Sequence, residues 1–107
     1  MVIILFLEKN GKDYIILQKR AKNIRQGGEI SLPGGFFEIS DNSKESCILR
    51  ECKEELGIEE SQVNLTGKLG KFIAANNMII DVFTGRVELN IEFNPSKEEV
   101  EIGRAHV

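Results

Sequence analysis

The sequence predicts an α+β domain, and three observations carry that prediction. A strand pattern lies on either side of an Asn-Gly pair, one amphipathic stretch carries capping signals at both ends, and a second pair of strand patterns follows it. With 107 residues the chain holds a single domain that buries proportionally little surface, so marginal stability is expected. Apolar residues make up 41% and charged residues 29%, a balance that argues for a folded globular chain over a disordered one. The net charge is −3 and the Lys and Arg residues are spread, so there is no basic stripe and no nucleic-acid polymer is expected as partner. A mononucleotide-like ligand remains compatible, because a bound divalent cation supplies the positive charge that the chain lacks.

Val2 to Glu8 is rich in β-branched and aromatic residues, Asn10-Gly11 is a two-residue hairpin signal, and Asp13 to Lys19 resumes the pattern through Tyr14, Ile15, Ile16 and Leu17. The apolar run Val2 to Leu7 is far too short to span a bilayer and lacks a basic flank or cleavage site. Neither anchor nor signal peptide is expected, and the cytoplasm is the default location. Arg20 to Glu29 shows neither period and reads as a basic, Gly-containing loop. Ile30-Ser31-Leu32 is a short strand-like piece running into Pro33-Gly34-Gly35, where backbone geometry matters.

Phe36 to Asn42 reads as a loop. Asn42 with Glu45 three residues on resembles a capping box; the helix it opens runs to Leu56, and Gly57 is placed for the left-handed cap. Ile48, Leu49, Cys52 and Leu56 fall within about 100° on the helical wheel, one apolar stripe that must pack on a sheet. Cys47 and Cys52 lie about 140° apart on that wheel, which excludes a mutual disulfide or a shared metal. Both read as core or boundary residues in a reducing compartment. Downstream, Val63 to Ala74 and Met78 to Leu89 are strand-like, and Asn76-Asn77 between them suits a second hairpin. After Phe93-Asn94-Pro95, the run Ser96 to Val100 reads as the cap-like start of a helix.

The last seven residues, Glu101-Ile102-Gly103-Arg104-Ala105-His106-Val107, read as the translation of a common sequencing-library adapter. The domain is therefore assigned to residues 1–100, the tail 101–107 is expected to be non-native, and the natural protein is expected to continue past Val100. His106, the only histidine, then has no function.

The chemistry concentrates in Gly34 to Glu38, Asp41 and Arg50 to Ile58. On a helix Glu51 and Glu55 share a face and Glu54 lies one step round, so three carboxylates are expected to converge. Like charges so spaced weaken a helix by roughly a few tenths of a kcal/mol per pair unless a cation compensates. Hard oxygen ligands clustered this way suit Mg²⁺ or Mn²⁺. Arg50 precedes Glu54 by four residues and is placed to pair with it, which leaves Glu51 and Glu55 for metal. The Gly34-Gly35 pair lets backbone groups approach metal or phosphate unobstructed. A Glu-rich helix face taken alone is usually a solvated surface; the full spacing shifts that balance.

Gly35, Arg50, Glu51, Cys52, Glu54, Glu55, Gly57 and Ile58 resemble the Nudix box, in which a Gly, five residues, a Glu and seven residues precede Arg-Glu-hydrophobic-x-Glu-Glu-x-Gly-hydrophobic. Asp41 stands where the first Glu is expected, and eight residues rather than seven separate it from Arg50. Both departures look like the coenzyme A pyrophosphatase branch. So does the upstream run Ile16 to Ala21 with Arg25, Gly28 and Leu32-Pro33-Gly34-Gly35, although the Arg25 to Gly28 gap is one residue short. Asn94 to Val100 is similar to the segment after the last strand in that branch.

The resemblance implies an α/β/α sandwich with a mixed β-sheet, incomplete at the C-terminus. It implies a Mg²⁺- or Mn²⁺-dependent hydrolase that cleaves the pyrophosphate bond of a nucleoside diphosphate derivative, coenzyme A first among them. Glu51, Glu55 and Glu54 with Gly35 would then hold the metal, and Arg50 would join the three glutamates in catalysis, with Glu54 the candidate base. Arg20, Arg25, Gly34 and Gly35 would contact a small-molecule nucleotide substrate, with no membrane involved. Two other readings stand beside it: a Nudix hydrolase for ADP-ribose, another sugar nucleotide or an oxidised nucleotide, and a non-catalytic nucleotide-sensing domain.

Overall fold

Strand β1 (Val2–Lys9) and strand β2 (Lys12–Arg20) form the first antiparallel hairpin of a computed structural model that describes residues 1–20, 30–88, 90–94 and 98–104. Asn10 and Gly11 at its tip both take positive φ, 53° and 74°, as the two-residue turn that matches strand twist requires. Period-two alternation buries Ile3, Leu5 and Leu7 of β1 and Ile16 of β2. A second antiparallel hairpin joins β4 (Asn64–Ile73) to β5 (Ile79–Arg86), with Asn77 at φ 64° in its turn. β5 lies parallel to β1, from Val2 opposite Val82 to Phe6 opposite Arg86, so the sheet is mixed as expected.

β1 and β2 are paired from Phe6–Ile15 to Lys9–Lys12. Toward Val2 the hairpin forks, and residues 30–35 fill the fork. There β3 (Ile30–Ser31) pairs with Gln18 and Lys19 of β2, while Ile3 N–H donates to the Pro33 carbonyl and Gly35 N–H to the Met1 carbonyl, both at 2.9 Å. A Cβ on Gly34 would lie 2.1 Å from the Met1 carbonyl oxygen, so only glycine permits this approach.

Helix α1 (Lys44–Leu56) lays Ile48, Cys52 and Leu56 on Ile3, Leu5, Leu7, Ile16 and Phe83, and this contact is the core. Its cap lies one residue later than the Asn42–Glu45 pattern predicts. Ser43 has the extended backbone a cap needs (φ −157°, ψ 169°), its hydroxyl accepts from Ser46 N–H, and Ser46 Oγ accepts from Ser43 N–H. At the other end Gly57 sits at φ 70°, and its N–H donates to the Lys53 carbonyl. Asn94 N–H reaches back to the Leu56 carbonyl at 2.8 Å, supplying a partner to a helix-end acceptor. Lys44 and Lys68 clamp Asp81 at 3.1 and 2.9 Å, which ties the helix start to the β4–β5 hairpin. Cys47 and Cys52 are buried and free; burial pushes the Cys52 thiol up to about 12 and also raises Cys47. Both are inert core residues.

Of the helix start expected over Ser96 to Val100, the described part, Glu98 to Val100, lies in a strand instead. Residues 95–97 lie outside the described set, and β6 (Glu98–Arg104) pairs antiparallel with β2, from Arg20–Glu98 to Tyr14–Arg104. The open edge of β2, a non-local partner, outweighs the local Ser-x-x-Glu signal. Among the described residues one α-helix lies on one face of the sheet, and no helix is long and apolar enough to cross a membrane.

Gly57→Ala is expected to lower stability by about 1–2 kcal/mol for the left-handed backbone alone. The loss grows further because the new Cβ would fall 2.1 Å from the Asn94 carbonyl oxygen. An unchanged denaturant midpoint would contradict this account of the cap.

Candidate active site

The fork-filling segment ends at Gly35, and from there the chain runs beside α1 to its cap. Arg50 faces that run. Its Nε and Nη2 grip the two Asp41 carboxylate oxygens at 2.9 and 3.1 Å, a bidentate pair. Nη1 donates to Glu51 at 3.0 Å and to Glu54 at 3.1 Å, Nη2 donates to the Phe36 carbonyl at 3.1 Å, and Glu38 lies 3.6 Å away. The Asp41 side chain is 4% exposed and that of Arg50 20%, so the pair is largely withdrawn from water. Its hydrogen bonds to the guanidinium and to Glu38 N–H hold the Asp41 carboxyl at about 2. Arg50 is in turn held more firmly protonated, chiefly by Asp41.

Glu51 is buried on the helix face toward Gly35. A Cβ at Gly35 would lie 2.4 Å from its carboxylate, so the bare glycine makes the space the carboxylate occupies. Burial raises the Glu51 pKa, with Glu54 and Glu38 adding to the effect and Arg50 opposing it. Glu55 accepts from Gly34 N–H at 3.0 Å, and Glu54 is exposed apart from its ion pair with Arg50.

The expected convergence of three carboxylates takes a different form. Arg50 draws Glu51 and Glu54 to itself, Gly34 N–H holds Glu55, and among the described residues no three His, Cys, Asp or Glu side chains close on one point. Sequence reasoning found the Arg50–Glu54 pair but missed Asp41 as the main partner of Arg50, because that pairing spans nine residues of loop and helix and follows no helical period. It also missed the Phe36 carbonyl, a backbone group with no residue-type signal. Arg25, Gly28 and the Arg20 side chain lie outside the described residues.

Glu51 and Glu55, one turn apart beside an open backbone, fit a Mg²⁺- or Mn²⁺-sized ion that takes one or two carboxylates and completes its shell with water and phosphate oxygens. The Gly35 carbonyl accepts a hydrogen bond from the Met1 nitrogen at 2.7 Å. Beside it an apolar hollow of about 210 Å³ is walled by Met1, Val2, Phe36, Met78 and Ile80.

A family model described as the NUDIX domain matches residues 1–105. A mouse peroxisomal coenzyme A diphosphatase is 28% identical over 100 residues, which are 92% of this chain and 42% of that protein. The Nudix hydrolase NudL of Yersinia pestis is 34% identical over 87 residues, 80% of this chain and 44% of that one. The chain thus spans less than half the length of either relative. Among solved structures, a binary complex of a C. elegans Ap4A hydrolase matches with a TM-score of 0.76 at 12% identity, covering 95% of this chain and 76% of that one. The NUDIX domain of Shewanella oneidensis NrtR, complexed with ADP ribose, matches with a TM-score of 0.65 at 17% identity, covering 96% and 70%. At such identities the likeness concerns the fold.

Asp41 and Asp81 are both held at about 2 against an ordinary 3.8, by Arg50 and by the two lysines respectively. The folded state therefore binds these protons more weakly than the unfolded chain does. Their contribution to stability is complete above the ordinary value and is lost as pH falls toward about 2. Acid titration of the unfolding midpoint is expected to fall steeply across that window, and more shallowly in Asp41→Asn; parallel curves would refute the assignment.

Proposed function

The chain belongs to the Nudix family, and on that premise we propose that it is a divalent-metal-dependent hydrolase that cleaves the pyrophosphate bond of coenzyme A or a derivative. The observation that carries this reading is the pair Glu51 and Glu55, each fixed beside Gly34-Gly35 by a separate partner. Glu51 and Glu55, with Glu54 close by and the Gly35 carbonyl, would hold the Mg²⁺ or Mn²⁺. When bound, the ion neutralises pyrophosphate oxygens and lowers the pKa of the attacking water.

The chain's own residues do the rest. Arg50 keeps Glu51 and Glu54 in place despite their mutual repulsion. Gly34 and Gly35 leave the approach of a phosphate unobstructed. Glu54, whose carboxylate is open to solvent, is the group that takes the proton of the attacking water. Arg20 and Arg25 would grip phosphates, bidentately where geometry allows.

Coenzyme A is supported by the Asp41 spacing, by the upstream run through Arg20 and by the mouse coenzyme A diphosphatase as a relative. The apolar hollow beside Gly35 suits an uncharged portion of such a substrate. Products would be 4′-phosphopantetheine and adenosine 3′,5′-bisphosphate. The inert buried thiols are consistent with a reducing compartment such as the cytoplasm. Residues 101–107 supply none of the proposed site. An ADP-ribose hydrolase is the second reading, favoured by the ADP-ribose complex of the NrtR domain.

Glu51→Gln and Glu55→Gln are each expected to lower kcat by at least about 100-fold and to raise the metal concentration needed for half-maximal rate. Hydrolysis no faster than the uncatalysed background in the unaltered chain, unchanged by Glu55→Gln, would point back to a non-catalytic sensing domain. Substrate profiling with Mg²⁺ and with Mn²⁺ decides between the substrates. Cleavage of coenzyme A at a higher kcat/KM than ADP-ribose is expected, and rapid ADP-ribose cleavage without coenzyme A cleavage would overturn the choice.

A further inference from the structure

Exposed apolar bulk gathers at one end of the molecule. Among the described residues, Phe36, Phe37 and Ile39 stand on the loop before α1, and Ile73, Met78 and Ile79 at the tip of the β4–β5 hairpin, from 39% exposed at Met78 to 104% at Ile39. Two contacts hold loop and tip side by side. Phe36 and Met78 wall the same hollow, and Lys44, which follows the loop as the first residue of α1, pairs with Asp81, two residues past Ile79. Single apolar residues are ordinary on a surface, whereas large ones gathered on two adjacent segments mark an interaction site. We infer that this end of the molecule docks a second copy of the same chain, related to the first by a two-fold axis.

The amount of surface fits that occupant. Fully exposed residues of this size offer on the order of 150–200 Å² each, so at their observed exposures the six leave roughly 600–800 Å² in water. The largest apolar patch of a monomer is about 300–600 Å², and one side of a standard interface is about 800 Å². Together the six exceed the one and, with a polar rim, reach the other. Little ordering is needed on docking. Asp41 N–H donates to the Glu38 carbonyl and Glu38 N–H to Asp41 Oδ2, so the loop is closed from both sides, while Ala74 N–H and Asn77 N–H close the hairpin tip.

Charge selects the same chain as the partner. Glu38 lies between Phe37 and Ile39 with its side chain 60% exposed, and Arg50 reaches it only at 3.6 Å. Lys71, also exposed, lies two residues before Ile73 and so shares the strand face that carries Ile73 and Ile79. Asp81, opposite Lys71 across the hairpin, is already held by Lys44 and Lys68, and Lys71 has no ion pair among the described residues. The loop is thus an apolar lobe with one acid, and the hairpin tip an apolar lobe with one base. A two-fold axis between the lobes sets each loop on the other copy's hairpin. Glu38 of each copy then meets the partner's Lys71, and the association closes at two copies.

Sedimentation velocity tests this. At about 100 µM, above the micromolar end of the range for interfaces of this size, the unaltered chain is expected to sediment at twice its own mass and to revert to one on dilution. Ile39→Ser and Ile79→Ser are each expected to raise the dimer dissociation constant by about tenfold or more. Glu38→Lys and Lys71→Glu each set like charges opposite one another at both contacts and raise it about tenfold. Mixed one to one, these two charge variants restore opposite charges at both contacts and are expected to associate within about threefold of the unaltered chain, which also shows that each is folded. A chain that stays monomeric at that concentration overturns the inference, whether or not it binds a lipid vesicle or another protein. So does a dimer indifferent to all four substitutions, or a mixture no tighter than its components. Hydrolysis enters none of these readouts, so the association and the proposed function stand or fall separately.

Discussion

One guanidinium holds four carboxylates together. Asp41, Glu38, Glu51 and Glu54 all lie within 3.6 Å of Arg50, on a helix face and a loop that their charges would otherwise drive apart. Arginine suits this task because its five donors lie in a rigid plane: Nε and Nη2 take the Asp41 fork while Nη1 stays free for Glu51 and Glu54. A lysine has one compact ammonium and no fork. Partial burial strengthens each contact, since attraction between charges grows as the surrounding dielectric falls.

Arg50 can organise the acids only if α1 itself is fixed, and the fold secures that helix at both ends. Ser43 and Ser46 close its start, Lys44 ties that start to Asp81, and Gly57 with Asn94 closes its finish. The sheet supplies the remaining two groups. Because the β1–β2 hairpin forks toward Val2, it admits a segment whose glycines lie flat against neighbouring backbone, which brings the Gly34 amide to Glu55 and the bare Gly35 to Glu51. Helix and fork are thus two separate supports, and the acids stand where they meet.

Much of this was legible in the sequence wherever the deciding interaction is local. Asn10-Gly11 names its own turn, Gly57 its own cap, and the helical period of Ile48, Cys52 and Leu56 its own buried face. The spacing of Glu51 and Glu55 likewise placed both on one face. What failed to show was settled between distant groups. Glu98 to Val100 belong to a helix-start pattern yet pair as a strand, since an unpaired edge of β2 lies across the chain from them. Asp41 became the main partner of Arg50 through a loop that folds back along the helix, a pairing that no helical period announces. The cap moved from Asn42 to Ser43 since Asp41 is locked in a turn with Glu38 and only one residue remains to change direction.

The parallel pairing of β1 with β5 bears on the order of assembly. Val2 meets Val82 across 82 − 2 = 80 residues of chain, whereas both hairpins and the helix close over short distances. Contacts so remote in sequence form slowly, after local ones have reduced the search. During synthesis the ribosome releases the acid-bearing helix well before β5, so for that interval the first strand lacks the neighbour that seats it in the sheet. A growing polypeptide therefore displays its carboxylates to the surrounding ions before it owns the scaffold that disciplines them, and competence arrives with the last strand of the seam.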